Sequence, residues 1–305
     1  MPERLRVGTR GSPLALRQTE IVVKRLMEHG AEPEIVTVRT SGDLFLDRPL
    51  HMISGQGLFV REIDERMLSG EIDLAVHSMK DLPSRRPERL RIAAILERDS
   101  PCDILLTRDG SGLEDLRGGA VIGTSSMRRA AQLRRARPDL VVRSLRGNLQ
   151  TRLRKLHAGE YDGIVIAEAG VQRMGYDLSY RVLDPGFFVP SPNQGTIAVV
   201  SIAGTEGDAL ASLIDHRPSR EETMVERRIM EVVGGGCLVP MAVFARHLGE
   251  RIHVTAEILS RDGERFVRLE DTVPRDDLES AERIGRRLLE MGGDELVREA
   301  VQIER

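Results

Sequence analysis

Tryptophan is missing from this sequence, and only three tyrosines and six phenylalanines stand among 305 residues. Proteins that hold single-stranded nucleic acid stack its bases on aromatic rings, so this chain offers such a partner little. Cysteine is scarcer still. Cys102 and Cys237 are the only two; far apart in sequence, they argue against a disulfide framework and leave no CxxC pair for zinc. Seven histidines are scattered without HExxH-type spacing, so no metal is expected. No apolar run approaches the roughly 20 residues that a membrane-spanning helix needs. The opening Met1-Pro2-Glu3-Arg4 leads into a strand-like segment and not a signal peptide, which predicts a cytoplasmic protein. Lysine occurs only as Lys24, Lys80 and Lys155 among 45 basic residues, a bias that codon usage can explain.

What is present is enough for ordinary cores. Hydrophobic residues make up 40% of the chain and the net charge is −3. At roughly 100–200 residues per domain, the length suggests two or three domains. Short apolar strands alternate with amphipathic helices through the first two-thirds. Leu5 to Val7 reads as a strand; Ser12 is a good N-cap with Pro13 at the first helical position, and a helix runs to about His29. Strands follow at 34–38, 72–76, 120–122, 140–142 and 163–166, with a helix at 57–69. Such alternation predicts α/β layers with largely parallel sheets. Pro101 and the Val-Pro-Ser-Pro-Asn run ending at Asn193 suggest two crossings between a hinged pair of domains, with a strand at 196–202 returning to the first. From about Pro218 the pattern changes to a helix at 220–233, three antiparallel strands at 241–246, 251–259 and 264–273, and a helix at about 277–291. Asp262-Gly263 supplies the tight turn between the last two strands. The division expected is 1–97 plus 196–214, 101–190, and 218–305.

Charge is concentrated in one place. Residues 117–155 hold ten arginines, one lysine and a single acid, Asp139, for a net +10. A concentration like that means an anionic partner or an internal ion-pair network. Gly123-Thr124-Ser125-Ser126-Met127-Arg128-Arg129 spans a strand-to-helix junction, where free N–H groups and the helix dipole favour an anion. Ser144-Leu145-Arg146-Gly147-Asn148 repeats the arrangement, with Arg152 one turn on; Gly8-Thr9-Arg10-Gly11-Ser12 is a third case, and Arg173 follows a fourth junction. Ligands of open α/β sheets bind at the carboxyl ends of strands, and guanidinium suits carboxylate or phosphate. Placement in loops therefore favours ligand contact for Arg10, Arg128, Arg129, Arg146 and Arg152. Arg134, Arg135, Arg137 and Arg154 read as solvated charges on helix faces. An acidic overall balance and the lack of aromatics make a small polyanion a better partner than nucleic acid.

Two further features carry chemistry. Asp73 to Pro83 runs from a strand into a polar loop that ends Lys80-Asp81. A carboxylate there can accept N–H bonds, stabilise a developing cation or shuttle protons, although spacing alone favours an N-cap or a partner for Lys80. Gly234-Gly235-Gly236 precedes Cys237 and permits positive φ angles, so this thiol can sit on an adaptable arm. Cys102, in Ser-Pro-Cys-Asp, lacks that setting. A non-enzymatic anion binder on the same scaffold would need neither Asp81 nor Cys237.

Taken in order, these segments resemble the porphobilinogen deaminase family over nearly the whole chain. The resemblance is carried by TRGSPLALRQ from Thr9, GLFVREI from Gly57, DLAVHSMKDLP from Asp73, IGTSSMRRAAQL from Ile122, RSLRGNLQTRL from Arg143 and GGGCLVPMAV from Gly234. It implies three domains, the first two like a type II periplasmic binding protein with mixed sheets and a hinged cleft, the third a small α+β domain with a three-stranded antiparallel sheet. It implies a dipyrromethane cofactor joined by a thioether to Cys237, stepwise condensation of four porphobilinogen molecules with loss of ammonia, and hydrolytic release of hydroxymethylbilane by a monomeric transferase. Asp81, with Lys80, matches the catalytic position, where a carboxylate would steady the cation left when ammonia departs. Ser12, Lys80, Asp81, Thr124, Ser126, Arg128, Arg129, Arg146 and Gly147 match cofactor-contacting positions. Arg10, Phe59, Arg152 and Arg173 match substrate-contacting ones. Four positions depart from the family pattern: Gln56 and Arg61, where bacterial members often have lysine, Asn193 in place of the more usual glycine, and Glu168 in a turn that is usually neutral.

Overall fold

A computed structural model describes residues 4–38, 60–83 and 86–302, apart from the side chain of Cys237. In chain order the elements are β1 (Leu5–Arg10), α1 (Pro13–Glu28), β2 (Pro33–Val38), α2 (Arg61–Leu68), β3 (Leu74–Ser78), β4 (Leu90–Ile95), β5 (Asp103–Thr107), β6 (Val121–Gly123), α3 (Met127–Ala136), β7 (Val141–Arg143) and α4 (Leu149–His157). They continue with β8 (Gly163–Ala167), α5 (Glu168–Met174), β9 (Arg181–Val182), β10 (Ile197–Ile202), α6 (Glu206–Ser212), α7 (Arg217–Val233), β11 (Met241–Leu248), β12 (Arg251–Leu259), β13 (Phe266–Pro274), α8 (Leu278–Leu288) and α9 (Asp294–Gln302). The chain packs as two compact units, Met1–Asp99 with Gly195–Arg220, and Ser100–Gln194 with Glu221–Arg305.

The first unit is built on a five-stranded sheet in the order β2-β1-β3-β10-β4. β1 runs parallel to β2 and β3, while β10, arriving from a distant part of the sequence, pairs antiparallel with β3 and β4. Ser12 caps α1 as its sequence predicts: its Oγ accepts from the Ala15 N–H at 3.3 Å, and Pro13 occupies the first turn. Val22 and Leu26, four residues apart on one helix face, bury against Leu5, Val7, Leu74 and Val76 of the sheet.

The second unit holds two sheets. One repeats the first unit's plan, in the order β7-β6-β8-β5-β9, with β6 parallel to β7 and β8 and with β5 antiparallel between β8 and β9. The other is β11-β12-β13, antiparallel throughout. Its helix-facing side packs Val243, Val254 and Ile258 against Ile229 of α7, Ile284 and Leu288 of α8 and Leu296 of α9. The fold class is therefore the mixed α/β type with a small antiparallel α+β part. The largely parallel sheets expected from the alternation are corrected to mixed ones, because β10 and β5 enter against the direction of their neighbours.

Two other expectations change. The helix read as 277–291 ends at Leu288, and after the turn of Leu289–Gly293 a second helix, α9, follows. Gly292 takes φ 108° there, a backbone shape that no helix accommodates. The helix read as 57–69 is observed over Arg61–Leu68, and its expected first turn lies outside the described residues.

Candidate functional site

Carboxyl ends of the parallel strands bring the first group of residues together. Beyond β3 the sequence Met79-Lys80-Asp81-Leu82 makes a tight turn, Met79–Asp81, closed by a bond from the Leu82 N–H to the Met79 carbonyl at 3.1 Å. Met79 and Leu82 are buried, while Lys80 and Asp81 between them are exposed. The Met79 N–H also reaches the Thr196 carbonyl at 3.0 Å. Two apolar anchors and a backbone bond thus hold the Lys80-Asp81 pair outward on a rigid base. Asp81 joins Arg10, Ser12, Gln18, His77 and Ser78 around a cavity of about 80 Å³, which has room for a few waters or a small polar group. Gln18 and Ser78 bridge its floor, with the amide Nε2 donating to the hydroxyl at 2.9 Å.

His77 is buried, and its Nε2 has no hydrogen-bond partner among the described residues. Burial lowers its pKa to about 3, and the positive charges of Arg86 and Arg10 push in the same direction. The imidazole is therefore neutral at any physiological pH. Arg86 itself is tied to Asp64 of α2 by an ion pair through Nη2 and a 3.2 Å bond from Nε. Burial raises the Asp64 pKa, with Arg86 pulling the other way.

The second unit supplies the arginines. Ser126 caps α3 by accepting from the Arg129 N–H at 3.4 Å, and Asn148 caps α4 by accepting from the Thr151 N–H at 2.9 Å. The two junctions touch: Ser125 Oγ lies 2.9 Å from Ser144 Oγ and donates to the Leu145 carbonyl at 2.7 Å, and the Thr124 N–H bonds the Arg143 carbonyl. Two helix N-termini thus open beside one another, each a favourable place for negative charge.

Arg128 and Arg129 are held from behind. Arg128 Nη1 lies 2.7 Å from Asp103 Oδ2, and Arg129 Nη2 lies 2.8 Å from Oδ1, with all three residues buried. Gln194 Nε2 also donates to Asp103 Oδ1 at 2.8 Å. Burial alone would raise the Asp103 pKa; the charges of Arg128 and Arg129, with bonds from Arg128 and Gln194, more than offset it and hold the carboxyl well below its usual range.

Arg152 has a different setting. It is half-buried, its Nε donates to the Gly147 carbonyl at 2.8 Å, and it has no carboxylate partner among the described residues. Burial lowers its pKa to about 10, and the charges of Arg129 and Arg146 add to the effect. A guanidinium disfavoured by burial and by neighbouring cations in this way marks a place where an anion would be welcomed. Arg146 is half-buried beside Gly147, and Arg173 of α5 is buried.

Three arginines read as solvated helix charges are not so. Arg135 pairs with the buried Glu257 at 3.0 Å, Arg134 Nη1 donates to the Arg261 carbonyl at 2.5 Å, and Arg137 bonds Asp139 and the carbonyls of Leu113, Glu114 and Leu116. The partners of Arg134 and Arg135 come from far along the chain, which composition could not reveal. Arg154 is exposed, as expected. Sequence reasoning also missed Asp103, Gln132, Glu257 and His77. The available signal was a charged or amide group inside a run of apolar positions, such as Glu257 in Val254-Thr255-Ala256-Glu257-Ile258-Leu259.

Of Cys237 only the backbone is described. Gly234, Gly235 and Gly236 take φ 73°, 76° and 58°, the left-handed shapes that the glycine run predicts. A Cβ on Gly235 would stand 2.1 Å from Val239 Cγ2, so no other residue fits there. Cys237 follows in the turn Gly236–Leu238, just ahead of β11. Phe59 lies outside the described residues.

Residues 5–208 match the family model described as "Porphobilinogen deaminase, dipyromethane cofactor binding domain", and residues 221–291 match "Porphobilinogen deaminase, C-terminal domain". A probable porphobilinogen deaminase of Methanococcoides burtonii is 55% identical over 298 residues, covering 97% of this chain and 96% of the relative. A porphobilinogen deaminase of Thermus thermophilus is 44% identical over 306 residues, covering 95% and 97%. Among solved structures, a periplasmic substrate-binding protein of an ABC transporter from Coxiella burnetii superposes with a TM-score of 0.43 at 15% identity, over 70% of this chain and 93% of that one.

Proposed function

This chain belongs to the porphobilinogen deaminase family, and from that premise we propose how its own residues carry the reaction. The enzyme condenses four porphobilinogen molecules head to tail with loss of ammonia and releases hydroxymethylbilane by hydrolysis, in tetrapyrrole biosynthesis. Cys237 would hold the dipyrromethane cofactor as a thioether, and the group would supply a nucleophilic pyrrole end for condensation. The residues present fit that group: a left-handed glycine arm ahead of the thiol, and the Arg152 guanidinium, half-buried beside the charges of Arg129 and Arg146.

Each pyrrole of porphobilinogen carries an acetate and a propionate. Arg128, Arg129, Arg146 and Arg152, with Thr124, Ser126 and Gly147 at the helix N-termini, bind the carboxylates of the cofactor and growing chain. Ser12 joins them on the cofactor, Arg10 and Arg173 hold the carboxylates of incoming substrate together with Arg152, and Phe59 offers its ring as an apolar face to the substrate. Asp81 accepts the pyrrole N–H and steadies the cation left when ammonia departs; Lys80 beside it holds a carboxylate. His77, neutral, adds no charge that would oppose that cation. The observation that carries this reading is Arg152: half-buried, set against Arg129 and Arg146, and lacking a carboxylate partner among the described residues.

The same proposal takes the chain as three domains, 1–97 with 196–214, 101–190 and 218–305. It also takes the protein as a cytoplasmic monomer that handles neither nucleic acid nor metal. No helix among the described residues is long and apolar enough to cross a membrane, and no cluster of metal-ligating side chains occurs among them. Turnover of porphobilinogen tests the assignment of Asp81. Replacing it with asparagine should leave the circular dichroism spectrum intact and lower the rate by about 10²- to 10⁴-fold, the usual range for a positioned acid–base group. Near-normal turnover would reject the role.

A further inference from the structure

Gln132 lies on α3, one turn beyond Arg128, and is completely buried. Its Oε1 accepts from Arg128 Nη1 at 2.8 Å, and its Nε2 donates to the Val189 carbonyl at 3.0 Å and to Glu257 Oε1 at 2.8 Å. Glu257, also completely buried, lies on β12. Its Oε2 accepts from Arg135 Nη1 at 3.0 Å. The Arg135 guanidinium in turn sits over the Phe187 and Phe266 rings at 4.6 and 4.8 Å and donates to the Phe187 carbonyl at 2.8 Å.

This chain of contacts spans two sheets of one unit. On the β12 side, Glu257 stands in register with Ala242 of β11, the strand that follows the Cys237 turn. On the α3 side it ends on Arg128 and, through Asp103, on Arg129. The surrounding fit is close: a Cβ on Gly263 would come within 2.3 Å of the Ala131 carbonyl oxygen, and the Val243 N–H bonds the Pro190 carbonyl at 3.1 Å.

A buried polar connection is a poor device for stability alone, since apolar residues of equal volume often hold two surfaces as well or better. What it adds is one allowed register. Only an amide serves at 132, because one end must accept from a guanidinium and the other must donate to a carboxylate. We infer that Gln132 and Glu257 are positioning residues, a relay that fixes the sheet following Cys237 against the helix bearing Arg128. It sets the placement of that arginine relative to whatever Cys237 holds. The inference rests on the reading in which both serve one cofactor.

Exchange of the two side chains tests it in the holoenzyme. Gln132→Glu sets two carboxylates against each other, Glu257→Gln removes the charge that Arg135 meets, and the double variant Q132E/E257Q restores an acceptor for Arg128 facing a donor. Ile284→Val, in the C-terminal core, serves as a control for stability alone. Each variant is measured for cofactor mass on the Cys237 peptide, melting temperature, and kcat and KM for porphobilinogen.

The expected result is full cofactor attachment in all of them. We expect kcat to fall about tenfold or more in Q132E, and less in E257Q, with KM changed less, as displacement of a binding group by about 1 Å would cause. The double variant should recover most of the kcat, and I284V should melt lower with unchanged kcat. The relay is overturned if E257Q and Q132E behave like I284V, or if the double variant regains its melting temperature without regaining kcat. A wild-type protein lacking any adduct on Cys237 would instead sink the functional reading, and the relay with it.

Discussion

Replacing Asp103 with asparagine should destabilise the second unit severely while leaving its shape nearly unchanged. The carboxylate is fully buried and meets Arg128 at 2.7 Å, Arg129 at 2.8 Å and the Gln194 amide at 2.8 Å. Asparagine keeps the volume and one acceptor, but it removes the carboxylate charge that lies between two buried guanidinium groups and turns an N–H donor towards one of them. Breaking a buried ion pair from one side costs about 3–5 kcal/mol. The retained hydrogen bonds place this variant at about 3 kcal/mol, a large part of the roughly 5–15 kcal/mol that holds a typical domain folded.

Urea unfolding followed by circular dichroism measures the loss, since the chain has no tryptophan to report by fluorescence. The pH dependence is specific. The folded Asp103 carboxyl lies below its ordinary value of 3.8, so its stabilisation is complete above about pH 4 and is lost as pH falls towards the folded value. The difference between wild type and variant should therefore stay constant from about pH 5 to 8 and shrink below about pH 4. A loss under about 1 kcal/mol at neutral pH, the worth of a single ordinary hydrogen bond, would refute the network.

Other outcomes follow from the same geometry. His77 is neutral when folded, with a pKa of about 3 against 6.5 when free, so the unfolded chain gains a proton first and stability should fall as pH drops from about 6.5 towards 3. His77→Gln should flatten that slope by up to about 1.4 kcal/mol per pH unit, and identical slopes in the two proteins would count against a buried neutral imidazole. Arg152→Met removes one charge from a crowded cationic cluster; its melting stability should stay within about 1 kcal/mol of wild type, the worth of its one carbonyl bond, while turnover drops. Unchanged turnover would show that Arg152 does not meet substrate or cofactor. Arg146→Ala should stall chain elongation and let shorter enzyme-bound pyrrole chains accumulate in native mass spectra, whereas a general loss of folding would mark Arg146 as structural.

Much of the fold was legible because its signals are local. Ser12-Pro13 opens α1 where capping chemistry puts it, and three glycines before Cys237 take the positive φ angles that only glycine adopts freely. Asp262-Gly263 turns β12 into β13, with Gly263 at φ 81°. What stayed hidden depends on strand order. β5 enters its sheet antiparallel beside β8, and only then does Asp103 come up against Arg128 and Arg129. Arg135 meets Glu257 across 122 positions of sequence, so composition counted a solvated charge where a buried pair exists. The net charge of 117–155 counted every arginine as open to an anion. It overstated how much of that charge is available, because Asp103 and Glu257 absorb part of it.

Peptide-mapped mass analysis of the purified protein tests the central claim most directly. The account predicts that the peptide containing Cys237 carries the mass of a covalently attached dipyrromethane, while the Cys102 peptide is unmodified. An active protein with an unmodified Cys237 would contradict it.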